Sequence, residues 1–246
     1  MNEPVAGILK KPDWIKVRAA ITPEFGKVNS LVRDKGLHTV CRGAKCPNIC
    51  ECWSRGTATF MILGNTCTRN CGFCGVISGN PGKADENEPK RVAEAVGILG
   101  LKHVVVTSVT RDDLPDGGAE IFARTIESIR ETNRECRIEV LVPDFTGDLK
   151  AVDLILNAKP DVFGHNMETF RRLYREARPQ ADYDRSLKVL KHAGIRGVFA
   201  KSGIMLGLGE TEKEVLYTLS DIKNAGCGAV TIGQYLQPSK ESLPVK

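Results

Sequence analysis

The sequence lacks several features that would place it in common protein classes. No apolar run reaches the roughly 18 residues that a membrane span needs, and residues 1–14 contain no apolar signal-peptide core. The net charge of +5 is spread along the chain, without the basic run typical of nucleic-acid-binding arms. We therefore expect a soluble intracellular protein that binds neither membranes nor nucleic acids.

Aromatic residues and histidines are also scarce. Aromatic residues make up 6% of the chain, and no two of its four histidines are spaced like a zinc-binding pair. The hydrophobic content of 41% is ordinary, so a full core can be buried. A chain of 246 residues suits one large α/β domain, or one domain with a short extension.

Cysteine, in contrast, is abundant, and seven of the nine cysteines lie between Cys41 and Cys74. An odd count in a reducing compartment argues against a disulfide framework, so the grouped cysteines are predicted to be metal ligands or redox groups. Three thiolates leave one iron of a cubane cluster free, so two triplets predict two open iron–sulfur clusters used together. A zinc site with a distant fourth ligand is the alternative. The triplets are Cys41, Cys46 and Cys52 (C-x4-C-x5-C) and Cys67, Cys71 and Cys74 (C-x3-C-x2-C).

From residue 59 onward, short apolar runs alternate with helical segments. The strands are predicted at residues 59–63, 103–107, 137–142, 161–164, 197–202 and 229–232. The helices between them are predicted at residues 89–99, 119–132, 149–157, 168–192 and 211–225. This alternation predicts an α/β fold with a parallel sheet. Regular spacing without a Gly-x-Gly-x-x-Gly start favours a partial (β/α)6 TIM-like barrel over a doubly wound open sheet, which is the alternative.

Residues 1–58 are predicted to form an N-terminal extension that carries the first cysteine triplet, and residues 59–246 to form the barrel domain. One amphipathic helix is predicted over residues 23–35, with Gly36 ending it. The first triplet follows in a stretch that contains Gly43, Pro47 and Asn48, which is typical of a loop.

Polar residues stand where several predicted strands end. In barrels of this kind the loops after the strands form one rim, and the chemistry is placed there. We therefore expect four separate segments to converge on one site. The second triplet follows the first strand; Thr107, Ser108, Asp112 and Asp113 follow the second; His165, Asn166 and Glu168 follow the fourth; Lys201, Ser202 and Gly203 end the fifth.

The second triplet, with the aromatic Phe73 before its last cysteine, resembles the signature of the radical S-adenosylmethionine (SAM) enzymes. The resemblance implies a 4Fe–4S cluster held by Cys67, Cys71 and Cys74, whose fourth iron would bind the amino and carboxylate groups of SAM. Cleavage of SAM would then yield a 5′-deoxyadenosyl radical that abstracts hydrogen from unreactive carbon. Members of this family are full or partial barrels with the cluster in the loop after the first strand.

The same resemblance implies SAM contacts from other rim segments. Residues 113–119 look like the family's glycine-rich segment, and residues 201–210 resemble the segment that borders the nucleoside. Asn166 and Glu168 could bind the ribose hydroxyls, although Glu168 could instead cap a helix. Lys201 could pair with the methionine carboxylate or stay solvated, and Asp112 could belong to a salt-bridged loop. The predicted contacts are Phe73, Thr107, Asp112, Asn166, Glu168, Lys201 and Met205.

The first triplet, fifteen residues before Cys67, closely resembles the auxiliary-cluster motif of the lipoyl synthase family. The resemblance runs from about residue 13 to residue 239 and implies a definite reaction. Deoxyadenosyl radicals would abstract hydrogen at carbons six and eight of an octanoyl chain on a lipoyl carrier domain. The carbon radicals take sulfide from the auxiliary cluster, which is consumed. The matching segments are residues 46–53, 56–64, 106–118, 165–168 and 202–211.

The resemblance also implies partners. The carrier would be a 2-oxoacid dehydrogenase E2 component or the glycine cleavage H protein, and an electron donor and a cluster-assembly protein would serve the clusters. We expect a cytoplasmic monomer, or one in a mitochondrial or plastid matrix if a transit peptide was removed. One alternative function is that of a methylthiotransferase acting on transfer RNA. Those enzymes carry a further RNA-binding domain, which does not fit in this chain, and a more widely spaced first cysteine triplet. A two-cluster electron carrier, the other alternative, needs no nucleoside pocket.

The sequence departs from the family pattern near its end. Lipoyl synthases carry a serine in a C-terminal Arg-Ser-Ser-like motif as the fourth ligand of the auxiliary cluster, and the last serines here, Ser239 and Ser242, lack that context. Either the chain is truncated, which the match at residues 235–240 favours, or it lacks that ligand. We expect this form to assemble both clusters but to insert sulfur poorly. Cys50 is expected to be a bystander, and Cys136 and Cys227 to pack as small apolar residues.

Overall fold

A seven-stranded sheet organises residues 22–246, the part of the protein that the computed structural model describes; the first 21 residues of the predicted extension lie outside it. The order of strands across this sheet is β1-β2-β5-β6-β7-β8-β9, and β3 pairs with β4 separately. The strands are β1 (His38–Thr39), β2 (Thr59–Ile62), β3 (Thr66–Cys67), β4 (Ile77–Ser78), β5 (His103–Ser108), β6 (Arg137–Leu141), β7 (Val162–Gly164), β8 (Ala200–Leu206) and β9 (Ala229–Gln234).

Helices precede the sheet and connect its strands. They are α1 (Pro23–Asp34), α2 (Val40–Gly43), α3 (Ile49–Ser54), α4 (Glu88–Leu99), α5 (Ala119–Thr132), α6 (Leu149–Asn157), α7 (Tyr174–Ala177), α8 (Tyr183–Ile195) and α9 (Glu212–Asn224). The predicted bounds of α5 and α6 are confirmed without change. Within residues 22–246, no helix is both long and apolar enough to cross a membrane.

The order of the parallel strands distinguishes the two predicted architectures. A doubly wound sheet reverses its strand order at a switch point. Here the parallel strands from β2 to β9 lie side by side in the order of the chain, and only the short β1 is antiparallel. This mostly parallel sheet with its connecting helices confirms the partial TIM-like barrel, and the open-sheet alternative is wrong.

One apolar core joins the sheet to the helices that precede it. Val28 and Val32 of α1 and Trp53 of α3 belong to the same buried cluster as the strand residues Ile62 and Val106. α1 is capped by Thr22 and packs on α3 through aromatic rings that include Trp53, so the described part of the extension lies against the barrel. The division into residues 1–58 and 59–246 stays a prediction.

Three predicted elements differ in the structure. The helix predicted over residues 168–192 is interrupted, because Pro179 cannot continue a helix, and it appears as a 3-10 turn, α7 and α8. β8 begins and ends later than predicted, so Lys201, Ser202 and Gly203 lie inside it. The first triplet is not all loop: Cys41 lies on α2, where the Thr39 hydroxyl caps the helix, and Cys52 lies on α3.

Candidate active site

The second cysteine triplet lies on a loop whose base is closed by β3 and β4. The sulfur of Cys67 accepts hydrogen bonds from the backbone amides of Arg69 at 3.4 Å and Thr110 at 3.3 Å. The sulfur of Cys74 accepts one from the amide of Val76 at 3.5 Å. Amide donors that point at a sulfur atom orient it as a ligand.

The thiols of this triplet lie within electrostatic reach of one another. Burial raises the pKa of Cys74 to about 11, and the Cys71 and Cys67 thiols act in the same direction. Burial also raises the pKa of Cys71, which the guanidinium of Arg178 opposes. Such thiols stay protonated without a metal and must release protons when iron binds.

The first triplet also comes together, on two short helices and the turn between them. The amide of Cys46 donates to the carbonyl of Cys41 at 3.1 Å, which folds the turn back onto α2. Burial raises the pKa of Cys52, and the thiols of Cys41 and Cys46 raise it further. Within each triplet the thiols are thus close enough to influence one another electrostatically, and their role as cluster ligands stays a prediction.

Each triplet supplies three thiol ligands. In residues 22–246, no three histidine, cysteine or acidic side chains form a group that could hold a metal ion. The thiols nevertheless shift one another's pKa values within each triplet. A cubane binds each thiolate to a different iron, so its ligands stand farther apart than those of one ion. The donor set thus fits a three-thiolate cluster site.

Two adjoining cavities open beside the second triplet. The first, termed the cysteine cavity, is lined by its three cysteines and by side chains from the loops after β5 and β7. The second, termed the connecting cavity, has a volume of about 740 Å³ and extends from Cys74 to Cys46 of the first triplet. Most of its walls are apolar. They include Val40, Met61, Leu141, Met205, Tyr235 and Leu236.

Five of the seven residues predicted to contact SAM line these cavities. Phe73, Thr107, Asn166 and Glu168 line both, and Met205 lines the connecting cavity. The structure therefore brings the loops after β2, β5 and β7 to one place, as the position of their polar residues predicts.

The two other predicted SAM contacts, Asp112 and Lys201, are used elsewhere, and neither lines the two cavities of the described chain. The carboxylate of Asp112 accepts hydrogen bonds from Nε and Nη2 of Arg69, at 2.7 and 2.9 Å. Lys201 donates to Glu139 at 2.8 Å, and His103 lies 3.4 Å from the same carboxylate. Lys201 is displaced from the rim because β8 ends later than predicted, and its proposed role is corrected accordingly.

Glu168 occupies a strained position against β8. Its φ of 63° lies in the left-handed region, its amide donates to Gly203, and its carbonyl accepts from Met205, both at 2.9 Å. It therefore bridges to a strand and does not cap a helix, which corrects the alternative prediction. Burial raises the pKa of its carboxyl, whereas Arg178 and Asn166 lower it. Gly203 is needed here, since a Cβ would lie 2.8 Å from Asn166 Oδ1.

Two buried residues of the cysteine cavity were not among the predicted SAM contacts. Arg178 donates through Nη1 to the carbonyls of Asn166 and Met167, but its buried Nε has no partner in the described chain. Arg178 lies at the break before Pro179, and the sequence gives no signal of its contact with the cavity.

His165 is the second such residue. Its Nδ1 lies 2.8 Å from the carbonyl of Val142, so Nδ1 carries the proton and Nε2 is an acceptor. That Nε2 is buried and has no partner among the described residues. Burial lowers the pKa of His165 to about 4, which keeps the ring neutral near pH 7. Its position after the fourth predicted strand placed His165 at the rim of the predicted site, although no role was predicted for it.

Comparison with known proteins identifies close relatives. Residues 61–222 match the sequence profile of the radical SAM superfamily. The lipoyl synthase of Caldicellulosiruptor saccharolyticus is 55% identical over 238 residues, which cover 96% of this chain and 84% of the relative. The lipoyl synthase of Parabacteroides distasonis is 52% identical over the same shares of the two chains. That of Rubrobacter xylanophilus is 52% identical over 96% of this chain and 74% of its own.

Solved structures share the fold. A maturase of the FeFe-hydrogenase superposes with a TM-score of 0.61 at 19% identity, over 76% of this chain and 45% of its own. Methylornithine synthase superposes with a TM-score of 0.60 at 15% identity, over 89% of this chain and 66% of its own. At these identities the likeness concerns the architecture alone.

Proposed function

Because the chain belongs to the lipoyl synthase family of the radical SAM superfamily, we propose how its own residues carry out the family's reaction. The protein is a lipoyl synthase, which inserts two sulfur atoms into an octanoyl chain on a carrier protein. It uses SAM and two 4Fe–4S clusters. The connecting cavity carries our proposal, because it extends from one cysteine triplet to the other.

We assign Cys67, Cys71 and Cys74 to the cluster that binds SAM. A cluster held there would supply the electron for the cleavage of SAM to a 5′-deoxyadenosyl radical. The amides of Arg69 and Thr110 support this assignment, because they orient the Cys67 sulfur. The cysteine cavity beside the three thiols is proposed to hold the nucleotide part of SAM.

Four side chains of the cysteine cavity form the proposed SAM site. Arg178 offers a charged donor with a free Nε, which suits the methionyl carboxylate. His165 offers Nε2 to an N–H or O–H group of the ligand. Asn166 and Glu168 are proposed to bind the ribose hydroxyls, which their position in the wall of the cysteine cavity supports. The polar atoms that are left without partners in the protein would then be satisfied by SAM.

We assign Cys41, Cys46 and Cys52 to the second cluster, whose chemistry when bound is to donate sulfide. Support comes from Cys46, which lines the connecting cavity together with Cys74. A sulfur at this triplet would face the same space as the radical. We leave Cys50 unassigned.

The connecting cavity is proposed to hold the octanoyl chain. Its apolar walls, which include Met61, Leu141 and Met205, favour burial of an alkyl chain at about 0.8 kcal/mol per methylene. A chain that passes between the triplets would present carbons six and eight to both. This placement keeps the radical and the sulfur source within reach of the same carbon atoms.

The finer identity of the partners is also proposed. We infer that the carrier is an E2 lipoyl domain or the glycine cleavage H protein, and that an electron donor and a cluster-assembly protein serve a monomer. The named relatives come from bacteria, which supports a cytoplasmic location.

The two cysteine assignments can be tested by single substitutions in anaerobically reconstituted protein. SAM, a reductant and an octanoylated peptide are added, and 5′-deoxyadenosine and sulfur insertion are measured. We expect Cys67→Ala to abolish both products. We expect Cys46→Ala to retain 5′-deoxyadenosine formation but to lose sulfur insertion. Cys136→Ala is the matched control, because Cys136 is buried outside both triplets.

The opposite pattern would reverse the two assignments. If Cys46→Ala stops 5′-deoxyadenosine formation while Cys67→Ala leaves it intact, the first triplet is the radical site. If neither substitution alters either product, the cysteine assignments are refuted.

A further inference from the structure

Arg69 lies between two proposed ligands, Cys67 and Cys71, yet its side chain points into the protein. Only 3% of that side chain is exposed. Its guanidinium contacts Asp112 at 2.7 and 2.9 Å, and its Nη2 also contacts Asp144 at 2.6 Å. A residue of the cysteine loop is therefore held by two carboxylates from other segments.

Asp144 connects this loop to the rest of the barrel. Its side chain is fully buried, and its second oxygen accepts from Arg185 of α8 at 2.8 Å. The amide of Thr146 donates to its first oxygen at 3.1 Å. Two guanidinium groups and two carboxylates thus meet in one network, and the Asp144 carboxylate lies between the two guanidinium groups.

The rest of the loop is anchored in the same way. Thr68 donates from its amide to the carbonyl of Thr110 at 3.0 Å, and the Thr110 amide donates to the Cys67 sulfur at 3.3 Å. The Asn70 side chain accepts from Gln180 at 2.5 Å. Each residue between Cys67 and Cys71 is therefore fixed by a contact from outside the loop.

Such a network is expensive to bury. Removing charges from water costs several kcal/mol per ion, and apolar residues of similar volume often stabilise a protein as well or better. Neither Asp144 nor Arg69 lines the cysteine cavity or the connecting cavity. A role in binding SAM directly therefore does not explain them.

We propose that Asp144 is a positioning residue for the cysteine loop and for the cluster bound there. Through Arg69 it holds the Cys67–Cys71 segment in ligand geometry before iron arrives. Its negative charge, close to the loop and shielded from water, opposes the addition of an electron and keeps the reduction potential low. The inference rests on the proposed assignment of Cys67, Cys71 and Cys74.

The two carboxylates that hold Arg69 allow a graded test. Asp144 is fully buried, whereas 30% of the Asp112 side chain is exposed, so water screens Asp112 more. We expect Asp144→Asn to shift the midpoint potential of the cluster to a more positive value. We expect Asp112→Asn to give a smaller shift of the same sign. Asp184→Asn removes an exposed carboxylate paired with Arg171 and should give none.

The potential is measured by redox titration followed by electron paramagnetic resonance, on the signal that SAM perturbs. The rate at which a small reagent alkylates Cys67, Cys71 and Cys74 in the iron-free protein is measured as well. We expect faster alkylation in Asp144→Asn than in Asp184→Asn. Circular dichroism checks the fold, and if Asp144→Asn does not fold, Asp112→Asn supplies both measurements.

Unchanged potential and unchanged alkylation in a folded Asp144→Asn variant would overturn the inference. The same result for Asp112→Asn would overturn it if that variant has to be used. If the unaltered protein shows no signal that SAM perturbs, the cysteine assignment itself fails. That outcome is distinguishable from failure of the positioning role.

Discussion

At the scale of single residues, the cysteine cavity is notable for buried polar atoms that the protein leaves unpaired. The Nε of Arg178 and the Nε2 of His165 are both buried without a partner in the described chain. Leaving such a group unsatisfied costs about 1–3 kcal/mol, so a folded protein retains it where a ligand or water completes it. These two unpaired atoms therefore indicate the position of the ligand more specifically than the exposed polar residues of the site do.

Replacement of Arg178 should weaken SAM binding. Arg178→Met removes charge-assisted hydrogen bonds worth roughly 1.5–3 kcal/mol, so we expect the dissociation constant to rise about 10- to 100-fold. Equilibrium dialysis of the reconstituted protein measures this. Arg175→Met, at an exposed position of α7, is the control, and equal affinities in the two variants would contradict the assignment.

The buried neutral ring of His165 should make stability depend on pH. Burial lowers its pKa to about 4 in the folded protein, below the ordinary value of about 6.5 in the unfolded chain. The stabilisation is complete above pH 6.5 and is lost as the pH falls towards 4. Between pH 7.5 and pH 5 the free energy of unfolding should fall by about 2 kcal/mol from this group.

Urea unfolding of the unaltered protein and of His165→Gln, at a series of pH values, measures that contribution. The variant should lack this part of the pH dependence. His192→Gln removes a histidine from α8 outside the cavities and serves as the control. Parallel pH curves for the unaltered protein and His165→Gln would show that the ring does not titrate as expected.

At the scale of elements, the two cysteine segments touch through backbone atoms. A Cβ at Gly75, the residue after Cys74, would lie 3.0 Å from the carbonyl oxygen of Ala44 and 3.2 Å from the Cβ of Pro238. Ala44 lies between Cys41 and Cys46 of the first triplet. The absence of a side chain at Gly75 therefore permits the close approach of the two cysteine segments.

Gly75→Ala should separate the two segments by a few tenths of an ångström. Because small displacements of reacting groups cost large factors in rate, we expect roughly tenfold less sulfur inserted per 5′-deoxyadenosine formed. The ratio of the two products measures this. Gly82→Ala, where a Cβ meets no atom within 4 Å, is the control. An unchanged ratio in Gly75→Ala would mean that this contact does not set the spacing.

At the scale of the whole molecule, loading with iron couples the fold to pH. The pKa values of Cys52, Cys71 and Cys74 are raised by burial in the metal-free protein, so these thiols hold their protons near pH 7. Iron must displace those protons from both cysteine triplets. Cluster assembly is therefore linked to proton release.

The loaded protein should resist an iron chelator better as the pH rises from 7 to 9. Each proton released on binding strengthens binding about tenfold per pH unit. The chelator concentration that removes half of the iron measures the effect. Cys136→Ser changes a buried thiol outside the triplets and should keep the same dependence. A midpoint independent of pH would indicate that the thiols are already ionised before iron binds.

Much of the fold could be predicted because its signals are local. Helices α5 and α6 were predicted with their observed bounds, and six parallel strands were predicted near their observed positions. Amphipathic periodicity and the positions of proline and glycine predict these helices and strands from short stretches of sequence. The errors, such as the late start of β8, arise where sheet pairing overrides local preference.

The sequence by itself determined the chemistry, because two triplets of thiolates at set spacings are a local property of the chain. Only the tertiary structure decided which charged residues lie in the site where that chemistry takes place. Asp112 and Lys201 stand at positions in the sequence that suggest contacts with SAM. In the structure Asp112 instead forms an ion pair with Arg69, and Lys201 forms one with Glu139. Arg178 reaches the site from the break between α7 and α8. Ion pairs and buried polar contacts join residues far apart in the chain, so the folded protein alone selects the partner of each charge.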